Sequence, residues 1–318
     1  MAAKIIAELC QNHNGSLKTL GDMVNAVAEA GADYAKIQTM FADDLTFRER
    51  FEHGRIERAM PQVLRRPYHA EYDRLKSLDL DVDGHRAFLD LCRETGVKPL
   101  TTIFSRSRIP MVHDLGFDEV KVASYDCSSY PMIRELKEKF RYLFISTGAT
   151  YDEEVQKTAE TLKDYPYSFM HCVTVYPSPL TILNLTRMNY LRGFTHHVGF
   201  SDHTSVERDG LKAALVALWL GADIIERHFT ILERGMTKDG PVSIDSQQLK
   251  SLVEYAGMSN DELERDHVSK IPEYYSMIGR KRPGLSHAER VNRDYYRGRF
   301  ASKINGKTVF NWEETPDI

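Results

Sequence analysis

Four times along this 318-residue chain a helix-like segment ends on a glycine and a strand begins within a few residues: EAGADYAKI at Gly31, ETGVKPLTT at Gly96, DLGFDEVKV at Gly116 and WLGADIIER at Gly221. Glycine stops a helix by taking the left-handed conformation just past its end, so the repeat marks a regular α-to-β hand-over. Strand-like runs fall at residues 4–10, 33–39, 98–104, 119–124, 142–146, 168–173, 197–201 and 223–228. Helix-like runs fall at 16–30, 85–95, 131–140, 152–163, 211–220 and 247–255; in the first, Leu17, Leu20, Met23, Val24 and Val27 form an apolar stripe at helical spacing. Eight strands in this alternation predict a (β/α)8 TIM barrel. A dinucleotide-binding sheet would carry a G-x-G-x-x-G turn after its first strand, and none is present. Such a barrel takes ~250 residues as one domain, so we expect it to span 1–264, with a C-terminal extension over 265–318 packing on the barrel or on a partner subunit.

Two segments stand outside the alternation. Residues 41–83 are a long polar, arginine-rich excursion after the second strand, which on a barrel either shapes a substrate pocket or covers an edge. The tail from Arg265 carries a hinge-like Arg280-Lys281-Arg282-Pro283-Gly284 run and is too short for a sizeable second domain. With 42% hydrophobic and 28% charged residues the chain can bury a real core. A net charge of −4 offers no broad basic surface to nucleic acid. No apolar run approaches the ~18 residues of a membrane span, and the N-terminus enters a strand-like run too early for a signal peptide. The cysteines (Cys10, Cys92, Cys127, Cys172) show no C-x-x-C spacing, which fits reduced thiols. A cytoplasmic protein without nucleic-acid or membrane partners is expected.

A parallel barrel gathers the carboxyl ends of its strands on one face. His203 closes VGFSDHT and His228 lies in DIIERHFT, one βαβ unit apart, so their strand ends lie side by side. Two imidazoles there can hold a divalent metal and leave positions open to substrate and water; an ordinary pair of strand-end histidines is the plainer alternative. The same face collects Glu8, Lys36, Gln38, Thr102, Lys121, Ser124, Asp126, Ser146, Tyr176, Ser201 and Glu226. Lys36 and Lys121 lie in otherwise apolar strands, where an ammonium needs an anion. A ligand phosphate, with hydroxyls from Ser124, Ser146 and Ser201, would serve, as would a neighbouring carboxylate. Together the set describes a phosphorylated anion bound beside a metal.

The segments IIAELCQNHNGSL, GADYAKIQT, STGATYDEE, HCVTVYPSP, VGFSDHT and GADIIERHFT resemble the sialic acid synthase family, in the same order and spacing from about Lys4 to Leu263. The resemblance again implies a (β/α)8 barrel, one that condenses phosphoenolpyruvate with an N-acetylmannosamine-like aldose to a 2-keto-3-deoxy sugar acid and phosphate. It implies phosphoenolpyruvate contacts at Lys36, Thr102, Lys121, Ser124, Ser146 and Ser201, and metal ligands at His203 and His228 for Mn2+ or Mg2+. It puts acidic residues that act on the sugar or the attacking water at Glu8 and Asp126, and a sugar-pocket wall at Tyr176. Three departures fall on the acceptor side. Thr174 stands where the family usually has Asn, and the Asp239-Gly240-Pro241-Val242-Ser243 loop lacks the sugar-binding Asp of the family's G-P-D-H motif. The family's C-terminal antifreeze-like domain, which lends an arginine to the partner's sugar site, is reduced to a faint likeness over 295–310. An aldose other than standard N-acetylmannosamine is therefore expected, in a homodimer where Arg297 or Arg299 could replace the missing arginine. The rival readings are a Schiff-base aldolase using Lys36 or Lys121 and a non-catalytic barrel that binds a sugar phosphate.

Overall fold

A computed structural model describes residues 2–314. Their strands are β1 (Lys4–Cys10), β2 (Tyr34–Thr39), β3 (Arg55–Glu57), β4 (Met60–Val63), β5 (Lys98–Ile103), β6 (Glu119–Val122), β7 (Tyr142–Ser146), β8 (Tyr167–Cys172), β9 (His197–Asp202), β10 (Ile224–His228), β11 (Ala301–Ile304) and β12 (Lys307–Phe310). Eight of them close into a parallel barrel in the order β1-β10-β9-β8-β7-β6-β5-β2. This is the (β/α)8 barrel expected from the alternation, with ends displaced by a residue or two at β2, β5, β6, β8, β9 and β10. Gly31 (φ 79°) ends the helix Leu17–Ala30 in the left-handed conformation, and Gly116 (φ 94°) does the same for Ile109–Leu115. That second helix escapes the periodicity because it has only seven residues.

The barrel interior has an apolar floor made by Ile6, Tyr34, Leu100, Phe144, Met170 and Ile224, all buried. Gly199 makes room for it, since a Cβ there would collide with the Met170 sulfur and the Ile224 carbonyl. Outward-facing strand residues such as Ile5, Ala7, Ile37, Val120, Phe169 and Ile225 join Leu20, Met23, Val24 and Val27 of the first helix in one continuous outer core, while Leu17, expected in the same stripe, is exposed at the start of that helix. Arg227 also faces outward. It is fully buried, pairs with Asp202, and donates to Thr204 Oγ1 and the Thr204 carbonyl, both at 2.9 Å. No helix among the described residues is long and apolar enough to cross a membrane.

The two segments outside the alternation have structure of their own. Residues 41–83 contain the antiparallel β3–β4 hairpin and the helix Tyr68–Lys76. The tail contains the helix His287–Tyr296 and the β11–β12 hairpin. They meet above the carboxyl end of the barrel. Thr46 donates through Oγ1 to the Gly298 carbonyl (2.6 Å) and through its amide to that of Arg299 (3.0 Å). The Arg48 guanidinium caps the carbonyls of Tyr295 and Arg297, and Phe51 packs edge-on against Tyr295 at 5.0 Å. Of the two uses open to the excursion, shaping the pocket is the one observed.

Candidate active site

The ladder register collects the polar side chains into one layer above the apolar floor. Glu8 lies opposite Lys36 on one side and His228 on the other, Thr102 opposite Gln38 and Lys121, and Ser201 opposite Glu226. Parallel strands with a side-chain period of two turn these residues inward together. They line a cavity of about 370 Å³, closed above by the excursion and the tail. Glu8, Lys36, Gln38, Thr102, Lys121, Ser124, Asp126, Ser146, Tyr176, Ser201, His203 and His228 all open on it.

Each buried lysine has a carboxylate partner. Lys36 contacts Glu8 Oε2, lies 3.8 Å from Glu226 Oε2 and donates to Thr102 Oγ1 at 3.0 Å. Lys121 pairs with Glu226 Oε1, which also accepts from Ser201 Oγ at 2.8 Å. Burial pushes the Lys36 ammonium down to about 7 against the pull of Glu226. Burial alone would raise the Glu226 carboxyl, but Lys121 and Lys36 hold it well below the usual carboxylate range. Ser146 Oγ is buried without a partner, so it is free to meet a ligand oxygen. Asp126 is oriented by Ser129 Oγ (2.8 Å) and Asn311 Nδ2 (3.0 Å), and burial raises its carboxyl.

The rings of His203 and His228 lie 5.2 Å apart, with Tyr176 against His203 at 4.1 Å. Burial pushes both imidazoles down, His228 to about 4, so both are neutral near pH 7, the form that binds metals. His228 Nδ1 is buried without a partner. In the same corner Cys10 Sγ donates to Asp239 Oδ2 at 3.2 Å. A sulfur, a ring nitrogen and a carboxylate oxygen from Cys10, His228 and Asp239 lie within 4.8 Å of one another. This donor set fits a divalent cation.

Several lining residues other than Arg299 were not singled out in the sequence. Arg66, Arg74, Lys238 and Arg299 give the outer cavity a cationic wall. Arg74 and Arg299 both grip Glu71, whose carboxyl burial would raise but whose arginine neighbours hold at about 2. Arg299 thus reaches the mouth of its own barrel, while Arg297 bonds Ser128 and Glu154 of its own chain. Near Thr174, Asn292 from the tail donates to the Thr174 carbonyl at 2.6 Å and lines the cavity, bringing a carboxamide close to where the family usually has one. Cys10 had shown only as one of four scattered thiols. Asp239 had counted only as part of a shortened loop, because no local pattern reveals where a loop returns.

The model of the NeuB family matches residues 23–266. The chain is 32% identical over 263 residues to the N,N'-diacetyllegionaminic acid synthase of Legionella pneumophila, covering 80% of this chain and 71% of that one. It is 26% identical to a pseudaminic acid synthase of Campylobacter jejuni over 99% of this chain and 86% of that one. In three dimensions it resembles the N-acetylneuraminic acid synthetase of Leptospira borgpetersenii, with a TM-score of 0.70 at 21% identity over 93% of this chain and 91% of that one.

Proposed function

The chain belongs to the NeuB family, and from that premise we propose that it condenses phosphoenolpyruvate with an aldose to give a 2-keto-3-deoxy sugar acid and inorganic phosphate. What carries this reading is the meeting, in one cavity, of two buried lysines, an unpartnered serine hydroxyl and a metal-competent histidine corner. Lys36 and Lys121 exchange part of their carboxylate contacts for the donor's phosphate oxygens, and Ser146 Oγ donates to the same group. Carbon 3 of the donor bonds to the aldehyde carbon, whose oxygen ends as a hydroxyl. Water adds at carbon 2, giving its proton to the Glu8 carboxylate that the phosphate has freed from Lys36. The carbon–oxygen bond to phosphate then breaks, phosphate carries off the proton of the new carbon 2 hydroxyl to leave the ketone, and Glu8 passes its proton to the former aldehyde oxygen. Tyr176 and Asp126 bound the acceptor's end, with Gln38 and Thr102 beside the donor. His203 and His228 would hold a divalent ion, Mn2+ or Mg2+ on the family resemblance, which would supply Lewis acidity to the acceptor's aldehyde. The proposed setting is a cytoplasmic homodimer.

Phosphate release from phosphoenolpyruvate, measured against a panel of aldoses including N-acetylmannosamine, tests the reading. Release should require both an aldose and a divalent metal and should vanish in His203→Ala. A protein that binds neither phosphoenolpyruvate nor metal would overturn the assignment.

Arg299 is proposed to hold the distal end of the aldose. Arg74 still pairs with Glu71 when Arg299 is removed, so Arg299→Ala should leave the fold intact. A charged hydrogen bond contributes about 1.5–3 kcal/mol, so the aldose KM should rise about tenfold or more, with the phosphoenolpyruvate KM little changed. Equal rises in both constants would remove Arg299 from acceptor binding.

A further inference from the structure

We propose that the metal corner is a thiolate site in which Cys10, His228 and Asp239, with His203 beside them, hold a thiophilic divalent ion of the zinc, cobalt or ferrous class. This deepens the reading above and rests on it for the ion's part in turnover, but the site itself stands on geometry. Ligands bound about 2.0–2.3 Å from one ion are at most ~4.6 Å apart. The three donor atoms already lie within 4.8 Å, so shifts of a few tenths of an ångström would complete the contacts.

The surroundings of each donor aim it at this corner. Cys10 adopts φ 40°, a left-handed conformation that a side-chain-bearing residue enters only at a cost, just where the β1–β2 register shifts. Glu8 fixes that turn by accepting the Cys10 amide at 2.8 Å. Asp239 is delivered by the loop after β10. Asn12 ties that loop to the end of β1, donating to the Phe229 carbonyl (2.8 Å) and to Ser243 Oγ (2.9 Å), and Ser243 Oγ in turn donates to the Asp239 carbonyl (2.8 Å). Gly240 is required in the turn, since a Cβ would collide with the Arg234 carbonyl. The third donor, His228, is buried and keeps Nδ1 without a partner.

Ligand chemistry then selects the ion. Oxygen-rich sets suit magnesium and manganese, whereas thiolate with imidazole and carboxylate favours zinc, cobalt or ferrous iron. On binding, the Cys10 thiol loses its proton to solvent and the sulfur bonds to the ion. With Cys10, His228 and Asp239 as its three ligands, the site keeps a fourth position open for substrate.

The test is titration of the chelator-treated full-length protein with Co2+, read by absorption. Thiolate-to-cobalt charge transfer should appear in the near ultraviolet and saturate at one ion per chain. Zn2+ should displace the cobalt and excess Mg2+ should not. Cys10→Ser should lose the charge-transfer band, and Asp239→Asn should weaken cobalt binding by about 10–100-fold. Cys172 is the control, because its sulfur lies 3.6 Å from His203 Nδ1, and Cys172→Ser should keep the band. Cobalt that fails to bind, binds without the band, or loses it in Cys172→Ser but not in Cys10→Ser overturns the proposal. Binding with the band but without phosphate release would instead count against the synthase reading alone.

Discussion

Lys36→Met is expected to lower kcat/KM for phosphate release by about 10³-fold. Removing a single positioned donor from a developing charge costs about 10²–10³-fold in the usual case. Lys36 is worse to lose, because Glu8 and Glu226 would then face the incoming phosphate with one ammonium fewer between them. Glu8→Gln in the same chain removes the stranded carboxylate, and circular dichroism would verify that both variants fold. Lys36→Arg separates two chemistries. An ammonium pushed down to about 7 is also what a Schiff-base lysine requires, yet a guanidinium can hold phosphate and cannot form an imine. Lys36→Arg should therefore recover at least tenfold over Lys36→Met, with no borohydride-trapped adduct in the parent. A trapped adduct and a dead arginine variant would favour the aldolase reading.

Arg227→Met is expected to destabilise the protein by about 3–5 kcal/mol, the usual cost of stranding one member of a buried ion pair. Arg227 is wholly enclosed, and Asp202 has no exposure either. The arginine ties the end of β10 to Asp202, the last residue of β9, and to Thr204 and Gly210 in the segment that follows. For a chain of this size such a loss lowers Tm by roughly 5–8 °C. Joint replacement with Asp202→Leu should recover only part of it, because Asp202 Oδ1 also accepts from the Thr204 amide and hydroxyl, both at 2.8 Å, and these would lose their acceptor. A single variant within about 1 kcal/mol of the parent would mean that the pair adds nothing net. The same measurement bears on His203 and His228, whose separation depends on how these two strand ends are held.

The sequence reveals the barrel and its inner layer of site residues for the same reason. Strand register has a period of two, and parallel strands end on one face, so Glu8, Lys36, Lys121, Ser146 and Ser201 could be placed together from local pattern alone. The alternation also explains why the arginine between Glu226 and His228 belongs to the outer packing and not to the cavity. Local pattern fails where position depends on distant chain. Asp239 reaches Cys10 only because Asn12 holds the returning loop, and that bond joins residues 231 positions apart. Arg66 and Arg74 read as surface charge until the excursion and the tail fold over the mouth, while Arg299, expected to act across a homodimer, lines the cavity of its own chain. Nor could the sequence decide between a carboxylate and a phosphate as the anion beside each lysine, because both satisfy the same buried charge.

The roof of the cavity joins the beginning of the chain to its end: Thr46 hydrogen-bonds across 252 positions to Gly298. A chain made from its N-terminus therefore has all eight barrel strands before it has the residues that close the mouth. During synthesis the polar layer stands open to water, with the cationic wall incomplete and the acceptor's end unformed. On the proposed reading, the residues that meet the aldose are thus made after the barrel strands that carry the two donor-binding lysines.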